Sequence, residues 1–344
     1  MPDLLQLNDE DFPEWWQLQA IIQQLGEQVQ VEVIDCIQYQ QLSLPIQCLS
    51  LGSQQPDAPV IAFFGGVHGL EKIGSEVLMA YLQTLLELLS WDQELQTRLQ
   101  KLRLLFMPIV NPVGVLRGTR CNGNGVDLMR NAPVEAVGVT KLYSGHRLSP
   151  HLPWYRGNSL QMEPEAMALC QVMQQQLTKS PLVIALDLHS GFGIHDRLWF
   201  PYAYRKQPFA ALPEAHALKA LFDRCYPHHF YKIEPMSQQY VISGDLWDYL
   251  YLQFQQQAGS DAVFMPLTLE MGSWQWLRKN PRHVFLRHGL FHPLLPHRQQ
   301  RILRRHLTLF DFLCRAALQP HAWAKLSEAQ RQAHQHAALT LWYA

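Results

Sequence analysis

Four continuous apolar runs constrain the fold more than any other feature of the chain. They are PVIAFFGG at 59–66, LRLLFMPIV at 102–110, LVIALDLH at 182–189 and AVFMPLTLE at 262–270. Each has the length of a single strand, and none shows the in–out alternation of a strand with one wet face. Each therefore reads as a strand buried on both sides. Segments of helical period separate them, at about 74–89, 92–102, 163–178 and 243–257. A helical pattern at 9–25 places Trp15, Leu18, Ile21, Ile22 and Leu25 on one face, with Gly26 as a stop. Two strand-like runs, VQVEVIDCI and PIQCLSLG, follow it. The stretch 193–240 is mixed. The tail at 299–317 is amphipathic, with Leu303, Leu307, Phe310 and Cys314 on one face. Alternating strands and helices predict an α/β fold with a mixed, largely parallel central sheet and helices on both faces.

Composition excludes several function classes. The chain has 344 residues, 48% of them hydrophobic and 17% charged, which is enough apolar material for a large core. Lys+Arg number 28 against Asp+Glu 29, a net charge of −1, so neither a nucleic acid nor an anionic membrane is an expected partner. No apolar run approaches the ~20 residues that span a bilayer. The first residues lack the basic and apolar regions of a signal peptide. The cysteines at 36, 48, 121, 170, 225 and 314 form no CxxC pair and read as scattered reduced thiols. The expected location is the cytoplasm.

Polar residues gather at or just after the ends of the four buried strands: His68, Asn111, His189 and Glu270. Ligands of open α/β sheets bind beyond the carboxyl ends of strands, so chemistry is expected along one sheet edge. In Gly65-Gly66-Val67-His68-Gly69-Leu70-Glu71, a His and a Glu three apart on a glycine-marked turn can reach one point. Asp187-Leu188-His189-Ser190-Gly191 supplies a second imidazole. Two imidazoles and one carboxylate, with a position left for water, are the ligand set of a catalytic zinc. The ordinary alternative for each piece alone is a chance pattern or a hydrogen-bonded packing histidine. The two together at glycine-marked strand ends favour a metal.

Further along come Asn111-Pro112-Val113-Gly114, Arg120, Gly125-Val126-Asp127-Leu128-Met129-Arg130-Asn131, Tyr240, and Thr268-Leu269-Glu270. In this order the motifs resemble the zinc metallocarboxypeptidase family (carboxypeptidase A-like), which is related to the succinylglutamate desuccinylase and aspartoacylase group. The resemblance runs from about residue 60 to 275. It implies a single zinc carboxypeptidase-like domain over 1–344, with a motif-bearing core at about 55–275 and helical additions at both ends. It implies one zinc per chain on His68, Glu71 and His189, with Glu270 as general base for the metal-activated water. It further implies Arg120 polarising the scissile carbonyl, Arg130 gripping a substrate carboxylate, Tyr240 closing over the substrate, and Asp127 accepting from the second ring nitrogen of His68. One departure stands out. Met129 occupies the place of an Asn that helps hold the substrate carboxylate, and Met has no donor.

Two enzyme readings follow. One is a hydrolase of C-terminal amide bonds acting on small peptides. The other is an N-acyl amino acid deacylase, favoured by Met129. A silent binding protein would have lost a ligand or the base, and all four residues are present. The specificity pocket is expected near Asp245–Tyr249, where Asp248 would either favour a basic side chain or pack within the helix. His283, His288, His292, His297 and His306 lack ligand spacing and read as surface histidines. The basic run Arg298–Arg305 reads as a solvated helix face.

Overall fold

The computed structural model describes residues 9–139, 141–191, 193–257, 262–274, 291–293 and 295–344. Their eight strands form one sheet in the order β1-β2-β4-β3-β5-β8-β6-β7. These are β1 Val29–Tyr39, β2 Leu42–Gly52, β3 Val60–Gly65, β4 Arg103–Met107, β5 Leu182–Gly191, β6 Arg197–Phe200, β7 Lys232–Pro235 and β8 Val263–Gly272. The four apolar runs are the four central strands, β4, β3, β5 and β8, and they run parallel. The long β1–β2 ribbon joins antiparallel to β4, and β6 joins antiparallel to β8. The sheet is therefore mixed and largely parallel at its centre, as expected.

Helices cover both faces, and two consecutive side chains of β3 show it. Neighbouring strand residues point to opposite sides. Phe63 stacks on Phe106 and meets Tyr81 and Phe310, from the Lys72–Leu89 and Leu307–Ala317 helices. Phe64 meets Trp247, from the Leu246–Gln257 helix on the other side. Such aromatic contacts contribute about 0.5–1.5 kcal/mol each beyond simple burial. They fix the strand whose end leads into the His68 turn. The Pro13–Leu25 helix starts at its proline, buries Trp15, Leu18, Ile21 and Leu25, and stops at Gly26 with φ 52°. It lies against the Lys72–Leu89 helix, with Lys72 Nζ 2.7 Å from Glu14 Oε1.

The mixed stretch resolves into β6, β7 and a helix at Leu212–Cys225. Strands of four residues are too short to show a period. The amphipathic tail is two helices, Pro296–Arg305 and Leu307–Ala317, broken at His306. A last helix, Glu328–Trp342, carries a Ser327–Gln330 capping box and packs on Leu212–Cys225. The basic run is not wholly solvated, because Arg305 lies 3.3 Å from Asp196 and over the Phe230 ring.

His306 also departs from the surface reading. It is fully buried at the helix break, with Nδ1 2.8 Å from the Tyr231 hydroxyl. His283 and His288 lie outside the described residues. Burial and the adjacent Arg305 cation push the His306 pKa down to about 3. The unfolded chain protonates this group below about 6.5 while the folded chain does not, so stability is lost as pH falls below that value. Between pH 7 and pH 5 the group is expected to cost about 2 kcal/mol. Urea unfolding at both pH values checks this: the loss should shrink in His306→Asn and would stay the same if His306 were uninvolved.

Candidate metal centre

Each candidate ligand is placed by its local sequence. β3 ends at Gly65, and Gly66 takes φ 65°, turning the chain so that Val67 and His68 lie over the sheet edge. A Cβ on Gly69 would stand 1.8 Å from the backbone of Gly114, so only glycine lets the two loops touch there. Asn111 locks that contact. Its side chain caps the Pro112–Arg117 helix at Gly114 N (2.8 Å) and donates to Val67 O (3.2 Å). Glu71 immediately precedes the Lys72–Leu89 helix, and its side chain makes no capping bond to that helix. His189 sits near the end of β5, directly opposite Glu270 of β8 in the parallel register.

These placements bring His68, Glu71 and His189 together, all buried, with one potential ligand atom of each within 4.8 Å of the others. Glu71 Oε1 lies 2.9 Å from His68 Nδ1, and Glu71 Oε2 lies 3.0 Å from His189 Nδ1 and accepts from Ser190 N at 3.0 Å. The opposite ring nitrogens are both occupied by carboxylates. Asp127 Oδ1 is 2.9 Å from His68 Nε2, and Asp187 Oδ2 is 2.8 Å from His189 Nε2. Trp247 Nε1 donates to the same Asp187 oxygen at 3.0 Å. A carboxylate on Nε2 fixes the tautomer that leaves the Nδ1 lone pair facing the cluster. Two such imidazoles and one carboxylate suit zinc.

The electrostatics follow from this packing. Burial alone would raise the Glu71 carboxyl, but His68 and His189 outweigh it and hold Glu71 well below the usual range. Burial would lower His189, yet Asp187 and Glu71 keep it well above its ordinary value. Burial would likewise raise Asp127, but Arg120, Arg130 and His68 hold it far down. Arg120 Nε donates to Asp127 Oδ2 (3.0 Å) and its NH1 to Glu71 Oε1 (3.3 Å), while Arg130 NH1 donates to Asp127 Oδ2 (2.7 Å). Burial, reinforced by the Glu71 carboxylate, pushes Glu270 up to about 8. Gly191 makes room for it, since a Cβ there would stand 1.9 Å from Glu270 Oε1.

The centre opens into a cavity of about 960 Å³. Arg120, Arg130, Tyr240 and Glu270 line it together with the three candidate ligands. Tyr240 is 44% exposed, meets Trp199 edge-on and stands at the cavity wall. Asp127 does not line the cavity and lies behind His68.

A profile of the family described as zinc carboxypeptidase matches residues 41–277. The chain belongs to the zinc carboxypeptidase family. It is 24% identical to human carboxypeptidase D over 263 residues, covering 67% of this chain and 17% of that protein. It is 28% identical to the rat carboxypeptidase N catalytic chain over 155 residues, covering 41% of this chain and 33% of that one. The chain therefore spans a third or less of the length of these relatives. Among solved structures, carboxypeptidase A from Helicoverpa armigera superposes with a TM-score of 0.64 at 17% identity, covering 90% of this chain and 72% of that one. At that identity the likeness is one of fold.

Within this family member, the 245–249 segment lies beside the main cavity. Residues 245–249 do not line the main cavity, but Asp245, Trp247 and Asp248 line a small recess that shares Trp199, Met236 and Thr268 with it. Asp245 caps the Leu246–Gln257 helix by accepting from Asp248 N at 2.8 Å. Asp248 accepts from Ala203 N and Tyr204 N at 2.8 Å each, and both carboxylates are buried. Met129, Trp154, Trp199, Met236, Ile242 and Thr268 line the main cavity. Sequence reading also passed over Asp187. Its spacing of two from His189 on a strand was the available signal, because residues i and i+2 share a face. No helix among the described residues is long and apolar enough to cross a membrane.

Proposed function

We propose that this chain is a zinc-dependent hydrolase that cleaves C-terminal amide bonds of small peptides. The supporting observation is that one cavity holds the His68–Glu71–His189 cluster, a carboxyl raised towards neutrality and two arginines. When bound, zinc would supply Lewis-acid polarisation of a carbonyl and acidify a water. Glu270 takes the proton from the attacking water and returns it to the leaving amine. Burial raises the proton affinity of this carboxyl above that of an ordinary glutamate, which suits a group that accepts a proton and then gives it up. Arg120, anchored through Nε to Asp127, offers its remaining donors to charge developing on the carbonyl oxygen. Arg130 binds the terminal carboxylate of the substrate, and this restricts cleavage to chain ends. Tyr240 closes over the bound substrate. A cytoplasmic location fits the same reading, since all six cysteines are free.

A product assay on zinc-loaded protein tests the reading, using peptides with varied C-terminal residues alongside N-acyl amino acids. Free C-terminal amino acids released from the peptides are expected. Release of small acids from N-acyl amino acids alone would replace this reading with the deacylase one and make Met129 the first residue to examine.

A further inference from the structure

Trp154 has φ 68°, in the left-handed region that a bulky side chain avoids. The surrounding loop enforces that conformation. The carbonyls of three successive residues are engaged: Pro153 O by His146 Nε2 (2.8 Å), Trp154 O by His146 N (3.1 Å) and Tyr155 O by Asp127 N (2.9 Å). The result is that a half-buried indole lines the cavity with its ring centroid 5.9 Å from the Arg130 guanidinium carbon. Tyr143 flanks the indole at 6.4 Å. Arg130 needs such a neighbour. Its NH1 is tied to Asp127, its buried Nε has no partner among the described residues, and the preceding Met129 offers no polar contact. A ring over a guanidinium orients it by cation–π attraction and excludes water, which strengthens the cation's contact with a carboxylate.

We propose that Trp154 is a positioning residue that holds the Arg130 guanidinium and walls the seat of a substrate carboxylate. The strained backbone is the means by which the indole reaches that place. The assignment rests on the reading of Arg130 as the carboxylate anchor.

Trp154→Gly removes the ring and adopts positive φ without strain, whereas Trp154→Phe keeps a ring and the strain. Binding of 3-phenylpropanoate to the metal-free protein, measured calorimetrically, reads the carboxylate seat without any turnover. The glycine variant should bind about 10-fold more weakly, with a thermal midpoint equal to or above wild type. The phenylalanine variant should stay within about 3-fold of wild type. With zinc-loaded protein and peptide substrate, Trp154→Gly should raise KM by a similar factor and leave kcat nearly unchanged. A lower thermal midpoint with unchanged probe binding would mark the ring as a packing residue and overturn the assignment, as would a wild-type protein that ignores the probe. Wild-type protein that binds the probe in a Trp154-dependent way but hydrolyses no peptide would support the seat and overturn the hydrolase reading alone.

Discussion

Glu270→Gln is expected to lower kcat/KM by about 10³-fold while leaving zinc content unchanged. The amide has the shape of the carboxylate but cannot accept the proton of water at neutral pH. The change should not harm folding. A carboxyl whose folded pKa is raised to about 8 disfavours the folded state wherever the unfolded carboxyl is ionised, above about pH 4.3. The neutral amide removes that penalty, so the thermal midpoint should stay level or rise. Steady-state kinetics beside a melting curve make the check. A variant that keeps most of its activity would show that another group carries the proton.

Asp127→Ala should produce the largest loss of stability at the site. Asp127 is fully buried and holds three groups at once: His68 Nε2, Arg120 Nε and Arg130 NH1. Removing it strands two arginines and one histidine without their shared partner. The expected cost is about 3–5 kcal/mol, the range for breaking a buried charge network by deleting one member. Zinc affinity should fall about 10–100-fold, because His68 loses the contact that sets its tautomer. The sign with pH follows from the depressed carboxyl. The Asp127 contribution is fully present above about pH 3.9 and fades as pH falls towards its lower folded value. Urea unfolding and titration against a chelator measure both effects. A small change in both would mean that the arginines find other partners and that the network does not support the centre.

Much of this arrangement is legible in the sequence because it rests on strong local signals. Continuous apolar runs mark β3, β4, β5 and β8, and glycines mark the turns where their ends carry His68 and His189. Short elements were hidden for the opposite reason. β6 and β7 have four residues each, and they become strands only because β8 and the sheet edge offer partners. Asp248 reads in the sequence either as a specificity residue or as a packing one, and its contacts with Ala203 N and Tyr204 N, which tie its carboxylate to the backbone, come from a segment more than 40 residues away. His306 reads as a surface residue because nothing local announces a break between two tail helices, where tertiary packing buries it against Tyr231. Trp154 carries no motif, and its position depends on carbonyl contacts to a loop 8 residues upstream and to Asp127.

The most direct test of the account is zinc stoichiometry after exhaustive dialysis, measured by elemental mass spectrometry on the wild type and on His189→Ala. The centre described here predicts one zinc per chain in the wild type and almost none in the variant, with the thermal midpoint of the wild type raised by zinc. A wild type that holds no zinc, or a variant that keeps a full equivalent, would contradict the assignment of His68, Glu71 and His189 as the metal centre.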